Sequence, residues 1–192
     1  MLLIISLIIV SLFIYFLKDS LKKHAGIYYI GAAVISIAVF LIGFLPMPLF
    51  VKNNILGIFA KGSLGTAMFI AVMYAGALPK GSKLIAPLMK IRGELSITAA
   101  ILVLCHNFTY GITYFKMLFI KPEALSATQF TAAIISLVLI IIMIVLTVTS
   151  FQAVRKKMKA KKWKQLQRTA YVFYGLMYVH IMLLSLIHIS EP

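Results

Sequence analysis

The chain has 192 residues, 62% of them hydrophobic, and a mean hydropathy of +1.05. A soluble domain holds about 45–50% apolar residues, so this composition excludes an ordinary soluble enzyme and indicates an integral membrane protein. Its formal charge of +15 would suit nucleic acid, but no stretch interleaves basic and aromatic residues as a nucleic-acid module does, and one cysteine (Cys105) excludes an internal disulfide or a cysteine-ligated metal cluster.

A helix that crosses a bilayer needs about 20 mostly apolar residues. The first apolar run, 2–17, is short, about 24 Å at ~1.5 Å per residue, and reads as weakly tilted or partly interfacial. It does not read as a cleaved signal peptide: Lys18, Lys22 and Lys23 follow it, no positive residue precedes it, and no small-residue cleavage site is present. Runs 25–45, 55–78, 95–118, 130–148 and 169–187 come next. The expected fold is therefore an all-α integral membrane helical bundle of about six spans. Between the fourth and fifth runs, FIKPEALSATQ is a short loop in which Pro122 and Ser126 punctuate the helices.

Charge is distributed by gap. Gaps one, three and five hold Lys18, Lys22 and Lys23, then Lys80, Lys83, Lys90 and Arg92, then eight cations from Arg155 to Arg168. Only Lys52, Lys61, Lys116 and Lys121 fall on the other side. Positive residues collect in the cytoplasm, which puts these gaps inside and the N-terminus outside. The fifth gap, RKKMKAKKWKQLQR, reads first as that orientation signal with attraction to anionic headgroups, and Trp163 as an interfacial anchor. A docking patch for an acidic electron donor is its sharper alternative.

Two histidines, His106 and His180, stand inside apolar runs. An ionisable group within a span is costly and points to function by default. Counted from the basic flanks at Arg92 and Arg168, the two lie roughly 18–21 Å along their helices. Both runs go from inside to outside, so the imidazoles are expected at matched depth, the arrangement by which two helices ligate one haem iron. The second ring nitrogen then needs an acceptor that fixes the tautomer. Thr109 and Tyr110 share the His106 face at helical spacing, as Leu176 and Met177 do for His180. Interhelical hydrogen bonding is the plainer account of the same two histidines. No carboxylate lies well inside a run, which argues against a proton-coupled transporter.

Lesser features have plainer readings. Lys61 would pair with a haem propionate or, more simply, snorkel to the outer interface. Gly62, Gly65 and Gly111 suit close helix approach, with contact to a porphyrin face second. Cys105 points away from the His106 face and reads as core packing, and His24 as a solvated headgroup-level residue.

The segments IFAKGSLGTAMFIAVMYAGALP, RGELSITAAILVLCHNFTYG and SFQAVRKKMKAKKWKQLQRTAYVFYGLMYVHIML resemble the ferric reductase-like transmembrane domain family. Within it they are most similar to the haem-b membrane subunit of the bacterial methionine sulfoxide reductase system. The family pattern is an Arg-led helix with a central His, a helix ending Thr-Ser-x-Gln, a basic loop with W-x-x-L-H, and an aromatic-rich helix with another His. Arg92, His106, Thr149, Ser150, Gln152, Trp163, Leu166, Arg168, Tyr171 and His180 fill those places. The resemblance covers about 55–183 and implies an electron-transfer subunit with His106 and His180 as haem-b iron ligands. It implies a quinol or flavoprotein donor and an extracytoplasmic acceptor, either ferric-reductase-like or a methionine sulfoxide reductase partner.

One departure matters. Gln167 stands where the family has His after W-x-x-L, and Gly93 stands thirteen positions before His106. In two-haem relatives both places carry ligands, so one haem b per chain is expected, and a quinone or a partner's flavin serves as donor more readily than a fused flavin domain. No G-x-G-x-x-G fingerprint opens a nucleotide-binding unit. The expected organisation is an N-terminal two-span segment at 1–54, the haem-binding domain at 55–183, and a tail at 184–192. That tail, LSLIHISEP, resembles the translation of a sequencing-library transposon end. On that reading it is non-native, the frame is truncated at its C-terminus, and His188 carries no function. The competing reading, from another class, is a haem-free polytopic transporter or assembly protein.

Overall fold

The computed structural model describes residues 1–78 and 85–190, with the side chains of 85 and 186–190 not described. Lys80, Lys83, Glu191 and the His188 side chain lie outside these described parts. All elements among the described residues are helical. Five stretches there are long and apolar enough to cross a membrane: Leu2–Lys23, Ala25–Ile42, Val51–Ala77, Ala86–Ile120 and Ala127–Val148. The fold is the expected all-α membrane bundle. The chain divides into two compact units, Met1–Thr109 and Tyr110–Pro192.

In the first unit α1 is Leu2–Lys23 and α2 is Ala25–Ile42. A π-helical turn, Val51–Ile55, leads into the short α3, Leu56–Ala60; α4 is Ser63–Ala77 and α5 is Ile85–His106. The broadest packing joins α4 to α5. Its centre is made of small residues: Ala67 and Ala99 are wholly buried, with Met68, Val72, Leu95 and Leu102 around them. In lipid, helices associate by close packing, because hydrocarbon supplies no hydrophobic drive between them. Gly65 shows how close the approach is, since a Cβ there would lie 2.5 Å from Val103 Cγ2 and 3.0 Å from the Ala99 carbonyl oxygen.

The first helix is longer than its apolar run. It spans 22 residues, about 33 Å, against the 24 Å or so expected from 2–17. Charge ends the hydrocarbon-compatible part of a helix and leaves its backbone free to continue. Lys18 to Lys23 add one and a half turns, Leu21 is fully buried, and Lys22 Nζ meets Glu94 Oε1 at 2.5 Å. For the same reason α5 starts at Ile85, ten positions before the expected 95, with Pro87 in its first turn where no intrahelical N–H is lost.

In the second unit α6 is Ile112–Ile120 and a 3₁₀ turn covers Pro122–Ala124. Next come α7, Ala127–Val148, α8, Gln152–Arg155, α9, Ala160–Gln167, and α10, Ala170–Ser190, which holds the sixth expected run. Ser126 caps α7 through a reciprocal box: its Oγ accepts from Gln129 N–H and its own N–H donates to Gln129 Oε1. The longest contact within this unit is α7 against α10, where Ala132, Ala133, Leu139, Met143 and Phe173 are buried. Elsewhere apolar faces point outward. Ile27, Ile30, Val34, Ile37 and Leu41 on α2, and Ile134, Val138, Ile141, Val145 and Val148 on α7, are exposed stripes at helical spacing. Such faces are tolerable only against lipid.

Candidate functional site

The third expected span, 55–78, is a broken helix, and the break builds the surroundings of His106. The α3 segment stops at Ala60, Lys61 caps it, and Gly62 takes φ +73°, ψ 7°, the left-handed conformation that ends many helices. Gly62 is also the residue from which α4 starts, its carbonyl accepting from Thr66 N–H at 2.9 Å. The last four carbonyls of any helix lack an intrahelical N–H, and Ala60 is among them here. Its oxygen lies 3.1 Å from His106 Nδ1. A carbonyl can only accept, so Nδ1 carries the hydrogen and the imidazole lone pair resides on Nε2.

His106 ends α5, and the chain continues through a π-helical turn, Asn107–Gly111. Its i→i+5 bonding is wider than the 3.6-residue period from which Thr109 and Tyr110 were placed beside His106. The Thr109 hydroxyl donates to the Cys105 carbonyl at 2.8 Å, and Tyr110 is exposed. Lys61 is exposed at the helix break. Cys105 is buried with Val39 and Ala60 and its thiol bonds the Ser36 carbonyl at 3.4 Å, in keeping with a packing role. Sequence reasoning missed the acceptor for His106. The backbone of the preceding span provides it, and its only trace in the chain was the pair of glycines following Lys61.

His180 belongs to the second unit. It is half-buried on α10, on the same stripe as the buried Ala170 and Phe173, with Met177 between them. At the base of α10 the motif residues form one cluster around Thr149, the C-cap of α7. Trp163 Nε1 donates to the Thr149 carbonyl at 2.9 Å, and Gln167 Nε2 donates to the Thr149 hydroxyl at 3.1 Å. The Arg155 guanidinium lies over the indole, 4.3 Å from its centroid. Trp163 is thus a latch onto the end of α7, a contact that the reading of it as an interfacial anchor did not foresee. Gln167 is engaged with the same threonine.

Among the described residues no group of three or more His, Cys, Asp or Glu is placed to hold a metal ion. A bis-histidine haem draws only two ligands from the protein, the porphyrin supplying the rest. The donor chemistry at His106 suits such a group: a neutral imidazole with Nδ1–H held by a carbonyl offers Nε2 as the ligating atom.

The family model described as ferric reductase like transmembrane component matches residues 56–178, a segment that contains His106 and stops two positions before His180. An uncharacterized protein of Treponema pallidum (strain Nichols) is 39% identical over 181 residues, covering 92% of this chain and 49% of that protein. The chain therefore spans about half the length of the curated relative it matches. No solved structure matches.

Proposed function

This chain belongs to the ferric reductase-like transmembrane family, and from that premise we propose that it is a haem-b electron-transfer subunit of a bacterial plasma membrane. The observation that carries the reading is His106: it lies within the family segment, and its Nδ1 is tied to the Ala60 carbonyl. Haem supplies one-electron chemistry when bound, and the protein's part is to ligate, bury and tune it. His106 through Nε2 and His180 from α10 are the proposed ligands of one haem per chain. Their matched distance from the basic flanks, roughly 18–21 Å along each helix, supports the pairing. Gln167 and Gly93, at the places where two-haem relatives carry ligands, support a stoichiometry of one.

Electrons enter from a quinol or a partner flavoprotein and leave to an extracytoplasmic acceptor, ferric-reductase-like or a methionine sulfoxide reductase partner. Fifteen of the nineteen cations lie in three alternate gaps, which supports an N-terminus outside and those gaps in the cytoplasm. The test is a reduced-minus-oxidised absorption spectrum of the purified chain with haem quantified, alongside His106→Ala and His180→Ala. About one haem b per chain, lost in each variant, is expected. A folded, haem-supplied preparation that takes up none removes the electron-transfer reading and leaves a haem-free polytopic protein.

A further inference from the structure

We infer that the break in the third span is a positioning device for His106: the left-handed turn at Gly62 aims the Ala60 carbonyl at Nδ1 and fixes the imidazole as the tautomer whose lone pair is on Nε2. The inference rests on the proposed function only for what Nε2 then ligates; the tautomer and its cause stand on the chain's own geometry.

Three observations converge on it. First, the acceptor exists because α3 ends at Ala60, which frees that carbonyl from the intrahelical ladder. An unbroken helix over 51–77 would commit the same oxygen to the N–H four residues on. Second, the break needs glycine twice over. The backbone at Gly62 sits at φ +73°, where a side chain is strained, and a Cβ there would lie 3.2 Å from both Cβ and Cγ of His106. The imidazole is therefore seated directly on the turn that supplies its acceptor. Third, both helices that form the seat are locked together one turn further on, where Gly65 meets Val103 and Ala99 on α5 at contact distances that admit no Cβ. Ala60 itself is buried, so water does not compete for its carbonyl. A tautomer-fixing contact from backbone, unlike one from a side chain, cannot swing away.

The test is ¹⁵N spectroscopy of the full chain, labelled at histidine, in lipid without added haem. The His106 signals are assigned by their loss in His106→Gln. The expected result is a protonated, pyrrole-type Nδ1 and a pyridine-type Nε2, with the Nδ1 proton slow to exchange. In Gly62→Ala both resonances move and the proton exchanges faster. Gly62→Asn is the second variant: asparagine tolerates the left-handed backbone but still brings a Cβ against the ring, so it shifts His106 in a chain that keeps its turn. An Nε2-protonated His106 in the native chain, or resonances unmoved in a folded Gly62→Asn protein, overturns the inference. Failure of haem to bind, with the tautomer as stated, would remove the proposed function and leave the positioning intact.

Discussion

At the scale of single residues, the first unit contains polar groups whose surroundings make opposite predictions. Glu94 is almost fully buried and pairs with Lys22, which is about half exposed. Removing the lysine strands a carboxylate in a low-dielectric core, whereas removing the carboxylate leaves an ammonium that water and headgroups can reach. Lys22→Met should therefore cost about 2 kcal/mol, below the range for a wholly buried pair because one end is solvated. Glu94→Gln should cost less than half of that. Unfolding in mixed micelles measures both, and equal losses would contradict the asymmetry. Ser6 is the converse case: its hydroxyl is buried without a hydrogen-bond partner among the described residues, so Ser6→Ala should be neutral or stabilise by up to about 1 kcal/mol. Gly65→Ala places a methyl 2.5 Å from Val103 Cγ2 and forces α4 off α5, with an expected loss of about 1–3 kcal/mol in the same assay.

At the scale of elements, the latch on α7 shows why a motif can be legible while its role is not. Trp163 and Gln167 stand one turn apart on α9 and both reach Thr149, one through the carbonyl and one through the hydroxyl. Thr149→Val keeps the shape and the carbonyl but strands the Gln167 amide. It should lower stability by about 1–2 kcal/mol and leave Trp163 emission nearly unchanged, since the indole bond is to backbone; Trp163 is the chain's single tryptophan, so its fluorescence reads the latch directly. A large red shift in Thr149→Val would mean that the hydroxyl, not the carbonyl, holds the ring. The apolar runs, the Ser126 cap and the small-residue packing were legible because periodicity and turn chemistry report them locally. Three things were not: the extension of α1 past its first charge, the break at Gly62 and the fold-back of Trp163. Each brings together residues distant in sequence, Lys22 with Glu94, Ala60 with His106 and Trp163 with Thr149, and hydropathy carries no information about partners. His106 was legible as an ionisable residue inside an apolar run, whereas its backbone acceptor had no side chain to announce it.

At the scale of the whole molecule, the sidedness of the proposed electron transfer would follow from which end of each helix carries the cations. Lys22 and Glu94 mark the charged end of α1 and α5, and His106 lies twelve residues beyond Glu94, about 18 Å toward the opposite face. If the charged end is cytoplasmic, as the positive-inside rule requires, His106 sits in the outer half of the bilayer and an acceptor on the outer face is nearer than a donor in the cytosol. Orientation can be read from the second unit alone. Glu123 and Lys157 are both exposed and flank α7, whose 22 residues span about 33 Å. The native Cys105 is buried, so it contributes little background to thiol labelling. In intact cells a membrane-impermeant maleimide should label Glu123→Cys and spare Lys157→Cys until the membrane is permeabilised. The reverse pattern would put the basic loop outside and remove the orientation on which the proposed outer-face acceptor rests.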